Sequence, residues 1–347
     1  MDLYDLGHVP WMDSQLVYHA QPRVGFEGLN IVAPAEPYVC IGYHQDLEQE
    51  IDIEYCREQN LPIFRREVGG GAVYLDGNQI FYQVVLHRDH PLAQGGREAF
   101  YRRMLQPVAE AYCDLGVPSH YRPVNDVLTD EGRKISGTGA ATIGDYVVLV
   151  GNLIADFDYA TTSHVLRVPD EKYRDKVFKS MQEHLTTLKR ETGRLPDWSE
   201  MIAPLVQRFE QVLGPLEAKD LPAAVQEQIE SLKPQFQSTE WLYKKGKRED
   251  GRNVKIATGV NVIRRVHKAP GGLIRATVEV EHDRFQYVSL SGDFFCYPRD
   301  AISELESALV GTPCAQVRSV LEQFYATRQV ETPGVTMDDW ATALLGT

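Results

Sequence analysis

The stretch Arg66-Glu67-Val68-Gly69-Gly70-Gly71-Ala72-Val73-Tyr74-Leu75-Asp76 is the most informative part of this chain. Its three consecutive glycines, residues 69–71, are called the glycine loop below. Because they carry no side chains, backbone N–H groups can approach a bound anion or an extended ligand directly. A tight turn between two strands is the alternative interpretation, since glycine is the usual residue where the backbone needs a positive φ.

Strand-like residues lie on both sides of the glycine loop. Leu61-Pro62-Ile63-Phe64 precedes it, residues 80–86 follow it, and Arg65 and Arg66 lie at its upstream end. A strand, a glycine loop and a second strand with arginine at the mouth indicate a carboxylate or phosphate site. The loop is not of the Walker type, because no Gly-Lys-Ser/Thr follows it. It is not a dinucleotide fingerprint either, because a strand follows where a helix should begin.

Length and charge limit the class of protein. At 347 residues the chain is too long for one typical core, which predicts about two domains. A net charge of −13 argues against partners that need a basic surface, namely nucleic acid and anionic membrane. The first residues include Asp2 and Asp5 and no apolar signal-peptide core, and no apolar run reaches the ~18 residues of a membrane span. We therefore expect a cytoplasmic protein.

The five cysteines and ten histidines predict no structural metal site. No Cys-x-x-Cys pair occurs, and the histidines form no pair at the i, i+4 spacing of metal ligands. We expect free thiols, most of them buried, in a reducing compartment.

The hydrophobic pattern predicts an α+β fold in which a mixed or antiparallel sheet packs with helices. Before residue 214, strand patterns lie at 38–41, 80–86, 124–128, 133–136 and 146–155, and helix patterns at 52–59, 97–115 and 201–213. Residues 159–195 are polar and predict a mobile connection with one or two short helices. The charged, glycine-containing stretch 244–251 predicts a linker.

A small α+β C-terminal domain is predicted beyond that linker. Its strand patterns lie at 255–260, 273–280 and 285–290, and its helix patterns at 299–310 and 315–326. The predicted domains are therefore 1–243 and 252–347.

A second stretch, Gly132-Arg133-Lys134-Ile135-Ser136-Gly137, places two cations on a short strand. Neighbouring side chains of a strand point to opposite faces, so one cation can enter a pocket while the other faces water. A solvated hairpin is the alternative, and Asn125-Asp126 just before it is equally compatible with an ordinary turn. Taken together, a glycine loop, a lysine for an anion and an aspartate for Mg²⁺ are what activation of a carboxylate by ATP requires.

With these segments the chain resembles the lipoate-protein ligases of the biotin/lipoate ligase superfamily. The resemblance rests on segments in the family's order and at about its spacing: Gly42-Tyr43-His44-Gln45, residues 65–76, Asn125-Asp126 and residues 132–137. Gly292-Asp293-Phe294-Phe295 and the helix after it look like the accessory C-terminal domain of these ligases. The resemblance covers most of the chain and implies the class II biotin/lipoate ligase-like fold.

The resemblance implies a two-step reaction. Lipoate or octanoate and ATP with Mg²⁺ would first give the acyl adenylate, lipoyl-AMP in the case of lipoate, and a lysine of a lipoyl-carrier domain would then accept the acyl group. Lys134 would be catalytic, contacting carboxylate or adenylate oxygens as charge develops. Asp126 would help to bind Mg²⁺.

The resemblance also implies binding positions for the nucleotide or the acyl chain. Asn125 would position phosphate, Asn78 would contact adenine, and Arg66 would lie against the lipoyl or phosphate end. The remaining binding positions on this resemblance are Gly69, Gly70, Gly71, Val73, Tyr74, Ser136, Gly137 and Gly151.

Three positions depart from the pattern. Val68 stands where the family usually has Ser or Thr, Leu75 where many members have His, and Val150-Gly151-Asn152 where His-Gly-Thr is common. Two alternatives to a ligase therefore stay open. One is an ATP-independent octanoyl or lipoyl transferase, which needs a cysteine in an electropositive setting. The other is a carrier-binding relative without catalysis.

Two segments are expected to move during the reaction. Residues 159–195 and 244–251 are placed to let a loop order and the small domain move when the adenylate forms, which would shield it from water.

Overall fold

A computed structural model describes residues 1–168, 170–246 and 261–346. The chain packs as two compact units that interleave along the sequence. The first unit consists of Met1–Cys40, Asp52–Phe64 and Val73–Gln237, and the second of Ile41–Ile51, Arg65–Ala72 and Ser238–Thr347. The glycine loop therefore packs with the C-terminal part of the chain. The division at 1–243 and 252–347 stays a prediction.

The strands of the first unit follow one another through most of its length. They are β1 (Asp2–Val9), β2 (Gly28–Pro34), β3 (Tyr38–Ile41), β4 (Ile63–Arg65), β5 (Val73–Leu75), β6 (Gln79–His87), β7 (Ser119–Arg122), β8 (Asp126–Thr129), β9 (Lys134–Ile143), β10 (Tyr146–Ile154) and β11 (Glu217–Ala218). Strands β3 and β4 each end on a residue of the second unit.

The main sheet of the first unit is mixed. Its strand order is β11-β1-β2-β6-β10-β9-β8-β7. The pairs β1–β11 and β1–β2 are parallel, whereas the strands from β2 to β7 pair antiparallel. A smaller sheet has the order β4-β3-β5. This arrangement confirms the predicted mixed sheet.

The α-helices of the described residues lie between and after these strands. They are α1 (Trp11–Val24), α2 (Leu47–Glu50), α3 (Ile53–Glu58), α4 (Gly96–Asp114), α5 (Tyr159–Val165), α6 (Arg174–His184), α7 (Leu188–Thr192), α8 (Trp198–Leu213), α9 (Ala223–Gln237), α10 (Thr239–Leu242), α11 (Ala301–Leu309), α12 (Val317–Thr327) and α13 (Met337–Leu345). Short 3₁₀ helices occupy Pro91–Ala93, Glu171–Tyr173 and Cys314–Gln316.

Helix α4 illustrates how the sequence pattern becomes packing. Phe100, Met104, Val108 and Tyr112 recur at helical spacing and are all buried. This helix packs against α8 and β7. Helix α1 packs against α9 and against strand β2 of the main sheet.

The second unit contains an antiparallel sheet covered by helices. Strands β12 (Asn261–Ala269), β13 (Gly272–Glu281) and β14 (Arg284–Gly292) pair in sequence order. Buried residues such as Ile274, Leu290, Leu305, Phe324 and Trp340 join this sheet to α11, α12 and α13 in one core. The predicted small α+β C-terminal domain is confirmed.

Most predicted elements agree with the structure, and the connection at 159–195 differs from its prediction. The expected connection at 159–195 contains three α-helices instead of one or two, and its last part is tied to the main sheet: Thr186 N–H donates to Lys134 O at 2.9 Å. The strand expected at 255–260, and the linker residues after Gly246, lie outside the described residues. No helix in the described part of the chain combines the length and apolar character needed to cross a membrane.

Candidate functional site

Lys134 and Asp126 face each other at the starts of two neighbouring strands. Strands β8 and β9 are antiparallel, with a bulge between Val127 and Leu128. Lys134 Nζ lies 2.7 Å from Asp126 Oδ1, and Arg122 Nη2 lies 2.9 Å from Asp126 Oδ2. The Asp126 side chain is only 16% exposed, whereas that of Lys134 is 38% exposed. The structure thus presents a carboxylate between two cations and a lysine that solvent can reach.

The other cation of the pair points elsewhere, as the strand geometry predicts. Arg133 donates from Nε and Nη2 to the Glu191 carboxylate at 3.1 and 2.9 Å. Although burial alone would raise it, hydrogen bonds from Thr186 and Arg133 hold the pKa of Glu191 below its usual value. This bidentate pair ties α7 to the beginning of β9.

Buried side chains hold the next residues of β9 from two sides. Tyr82 Oη and Ser136 Oγ lie 2.9 Å apart, and both residues are fully buried. Thr138 Oγ1 donates to Asn125 O at 2.7 Å, and Asn125 Nδ2 donates back to Thr138 O at 2.5 Å. The Asn125 side-chain amide is therefore engaged with the backbone of β9.

Two side-chain amides continue this network. Asn152 Oδ1 accepts from Gly137 N–H at 3.1 Å, and Asn152 Nδ2 donates to Gln79 Oε1 at 2.8 Å. Gln79 Nε2 in turn donates to Tyr74 O at 3.1 Å. The chain of hydrogen bonds therefore runs from β9 across β10 and β6 to β5.

Two glycines lie in close contact with functional side chains. A Cβ on Gly151 would lie 2.3 Å from Tyr82 Oη, so no larger residue fits beside the tyrosine ring. A Cβ on Gly137 would lie 3.0 Å from Lys134 Cε and 3.1 Å from Nζ. The lysine side chain therefore runs directly against the backbone of Gly137.

Asn78 occupies the turn between β5 and β6. Its N–H donates to Asp76 Oδ1 at 2.9 Å, and its carbonyl accepts from Ala155 N–H at 2.9 Å. Its side chain is exposed, which leaves the amide accessible to a ligand. Burial raises the pKa of Asp76, and the bonds from Asn78 oppose that shift.

The glycine loop is folded around Arg66 in the second unit. Arg66 Nη2 donates to Gly69 O at 2.8 Å and to Gly71 O at 2.9 Å. Gly70 has φ +90°, in the left-handed region that side chains disfavour. The guanidinium thus pairs with the loop carbonyls, and Gly70 N–H donates to Phe294 O at 3.4 Å.

Phe294 and Phe295, which follow β14 in the second unit, pack on the same loop. A Cβ on Gly69 would lie 2.8 Å from Phe294 O, and one on Gly70 would lie 3.1 Å from the Phe295 ring. Next to the loop, buried Glu67 forms an ion pair with Arg299, in which Oε1 lies 2.5 Å from Nη1. The segment that resembles the accessory domain therefore forms part of the glycine-loop structure.

Buried Arg65 anchors the strand that leads into the loop. Its Nη1 donates to the carbonyls of Gly42, Tyr43 and Gln45 at 3.1, 3.0 and 2.6 Å. Its Nε and Nη2 donate to Leu242 O at 3.1 and 2.7 Å. Arg65 is thus a structural residue, whereas the sequence had suggested only an arginine at the mouth of a site.

The predicted site residues divide between the two units. Lys134, Asn125, Asp126, Ser136, Gly137 and Gly151 come together around β9, and Tyr74 and Asn78 belong to the same unit. Arg66 and the glycine loop belong to the second unit. Val73 is 37% exposed at the start of β5. The ligands of all these residues stay predictions.

Sequence reasoning missed several members of the β9 network. Tyr82, Gln79, Thr138 and Arg122 carried no motif, and Asn152 was noted only as a departure. Gln79 and Gln83, two polar residues on the same face of the otherwise apolar β6, were the available signal.

The described residues offer few candidates for metal ligands or for a nucleophilic thiol. Across 1–168, 170–246 and 261–346, no group of three or more His, Cys, Asp or Glu side chains could hold a metal ion. All five cysteines are described and none forms a disulfide. Burial raises the pKa of Cys56 to about 11 and that of Cys296 to about 12, which makes both thiols poor nucleophiles.

Comparison with known proteins points to one family. Residues 26–210 match the model of the lipoyl protein ligase A/B catalytic domain, and residues 262–342 match that of the bacterial lipoate protein ligase C-terminus. The octanoyltransferase LipM of Moorella thermoacetica is 25% identical over 62% of this chain and 85% of its own length. The lipoate-protein ligase LplJ of Bacillus subtilis is 26% identical over 80% of this chain and 78% of its own.

A solved structure agrees in fold. The bipartite lipoate protein ligase of an archaeal lipoylation system, from Thermoplasma acidophilum, superposes with a TM-score of 0.64 at 25% identity. The match covers 72% of this chain and 98% of that one. Both ligases and octanoyltransferases are thus similar to this chain.

Proposed function

The chain belongs to the lipoyl protein ligase A/B family, and on this premise we propose that it is an ATP-dependent lipoate-protein ligase. Lipoate or octanoate would react with ATP to give the acyl adenylate and pyrophosphate. A lysine amine of a lipoyl-carrier domain would then attack the acyl carbon, forming the amide and releasing AMP. The observation that carries this proposal is Lys134 held by Asp126 at the start of β9, in a network without a thiol.

Lys134 supplies mobile positive charge. Its ammonium is partly exposed and restrained by one carboxylate, so incoming anionic groups can compete for it. Charge grows on phosphate oxygens in the first step and on the acyl oxygen in the second, and a preplaced cation lowers both barriers. The role needs no proton transfer by Lys134.

Asp126 fits a magnesium role. Mg²⁺ is commonly held by one or two carboxylates together with substrate phosphates, so the small number of acids near Asp126 is compatible with it. Bound Mg²⁺ would neutralise phosphate charge during the displacement. Arg122 and Lys134 hold Asp126 in its present position and would exchange this partner for phosphate oxygens.

The glycine loop and Asn78 would bind the nucleotide and the acyl chain. Arg66 orders the loop through the carbonyls of Gly69 and Gly71, and an anion would compete with Phe294 O for Gly70 N–H. The exposed Asn78 amide can both donate and accept, as recognition of adenine requires.

The second candidate is an octanoyltransferase, and its support is the likeness to the LipM enzymes. Such a reaction needs a reactive thiol. No cysteine occurs between Cys113 and Cys296, so neither β9 nor β10 carries one. Cys113 lies on α4 and its Sγ contacts the backbone of Ser119 at 3.4 Å. These observations favour the ligase.

A non-catalytic carrier-binding protein is the remaining alternative. It would have no reason to keep a lysine pressed against Gly137 and paired with Asp126. We therefore expect a lipoyl-carrier domain to be a substrate of this protein and not only a binding partner.

Pyrophosphate release tests the proposal. The purified protein should release pyrophosphate from ATP and Mg²⁺ only when lipoate or octanoate is added, and Lys134→Met should abolish that release. Release that is absent in the wild type at all acyl-acid concentrations would refute a ligase. A carrier-binding protein would release none while still retaining the carrier.

A further inference from the structure

Asn152 takes over where backbone pairing between β9 and β10 stops. The last backbone pair of that ladder is Gly151 with Thr138. One residue further on, the Asn152 side chain reaches across and its Oδ1 accepts from Gly137 N–H at 3.1 Å. A side-chain amide therefore replaces the next rung of the sheet.

The NH₂ group of the same amide is linked to β5 through a second side chain. Asn152 Nδ2 donates to Gln79 Oε1 at 2.8 Å, and Gln79, which is 1% exposed, donates from Nε2 to Tyr74 O at 3.1 Å. The first strand after the glycine loop is thus joined to the strand of Lys134 through two amides.

We call the hydrogen-bonded chain Gly137–Asn152–Gln79–Tyr74 the amide relay. The groups at its two ends determine how both amides are oriented. Tyr74 O can only accept, so Gln79 must turn its amine toward it and its oxygen toward Asn152. Gly137 N–H can only donate, so Asn152 must turn its oxygen toward it and its amine toward Gln79. One orientation of each amide satisfies every bond, and a flip of either breaks two.

The relay acts on Lys134 through Gly137. The end of the lysine side chain lies beside Gly137, where an added Cβ would meet Lys134 Cε at 3.0 Å, so the position of Gly137 limits the space open to the ammonium. We infer that Asn152 and Gln79 form a positioning pair that fixes Gly137, and through it Lys134, relative to β5. This inference rests on the proposed function for its catalytic consequence, whereas the linkage itself is independent of the reaction.

Three variants test the pair in the full-length protein. Asn152→Ala removes both bonds, and Asn152→Asp keeps the acceptor for Gly137 but opposes Gln79 Oε1 with a carboxylate oxygen. The exchange variant Asn152→Gln/Gln79→Asn keeps the summed length of the two amides. Gln106→Ala, which removes an exposed amide on α4, is the matched control.

The readouts are the rate of acyl transfer or activation, hydrogen exchange at Gly137, and thermal unfolding. Asn152→Ala and Asn152→Asp should lower kcat about tenfold and leave the KM for ATP within about twofold of the wild-type value. The reason is that a displaced Lys134 ammonium stabilises the transition state less well and affects the binding of ATP little. Exchange of the peptide containing Gly137 should become about tenfold faster in Asn152→Ala. The double variant Asn152→Gln/Gln79→Asn should recover most of the kcat and most of the protection of Gly137 from hydrogen exchange. Gln106→Ala should change neither quantity.

Other results overturn the inference. Unchanged Gly137 exchange in Asn152→Ala would refute the linkage, and a lowered unfolding temperature with unchanged kcat would reduce Asn152 to a structural residue. If the wild type forms no acyl adenylate, the proposed function fails. The kcat comparison then uses the ATP-free transfer that the wild type performs, and unaltered transfer in Asn152→Ala refutes the positioning role.

Discussion

Replacing Lys134 with methionine should separate catalysis from stability. The Lys134–Asp126 pair is partly exposed, with the lysine 38% accessible, so its loss should cost at most ~1 kcal/mol of unfolding free energy. Asp126 also keeps Arg122 at 2.9 Å, which limits the cost of an unpaired carboxylate. Removing a preplaced cation from developing charge costs about 100- to 1000-fold in rate, or ~3 to 4 kcal/mol of barrier. The expected result is a folded, inactive protein.

The assay is lipoate-dependent pyrophosphate release, read beside urea unfolding. Arg133→Met is the matched control, because Arg133 precedes Lys134 and pairs with Glu191 instead. This control should lose about 2 kcal/mol of stability through the bidentate pair and keep its rate within a few-fold. The reasoning is refuted if Lys134→Met retains activity within about fivefold, or if Arg133→Met loses as much rate as Lys134→Met.

The remaining predictions concern stability. Arg65→Met should cost about 3 kcal/mol or more in urea unfolding, because a fully buried guanidinium satisfies carbonyls that would lose their donor; a loss below about 1 kcal/mol would contradict this. Gly70→Ala should cost ~1 to 2 kcal/mol through its φ of +90°, whereas Gly71→Ala, whose Cβ would meet its nearest atom only at 3.7 Å, should cost less; equal losses would count against the strain. Folding lowers the pKa of Glu191, so its contribution to the free energy of unfolding is fully present above its usual pKa of 4.5. That contribution is lost as the pH falls through the lower pKa of the folded state. The stability gap between wild type and Glu191→Gln should therefore close in acid; a gap that stays constant down to about pH 3 would exclude the linkage.

The sequence predicted the parts of the fold whose residues follow a simple period. Helix α4 has its apolar residues on one face, and both its boundaries came within a residue of the prediction. Helix α1 had no such pattern. Its buried face includes Gln15 and Gln21, which hydrogen-bond to Tyr38 and Asn30, so polarity along the sequence gave no sign of burial.

The candidate site was predicted only where glycines or charged pairs form a motif. The pairing of Lys134 with one partner and Arg133 with another follows from strand alternation. The amides of Gln79 and Asn152 could not be predicted, because their bonds connect strands far apart in the sequence. The association of the glycine loop with Phe294 and Phe295 also depends on tertiary packing, which no local pattern encodes.

The ligase proposal is tested most directly by mass spectrometry of an apo lipoyl-carrier domain incubated with the protein and lipoate. We predict that the carrier gains one lipoyl group on a lysine when ATP and Mg²⁺ are present, and none when ATP is omitted. Acylation from an octanoyl thioester donor without ATP, together with no modification from lipoate and ATP, would contradict the account and identify a transferase.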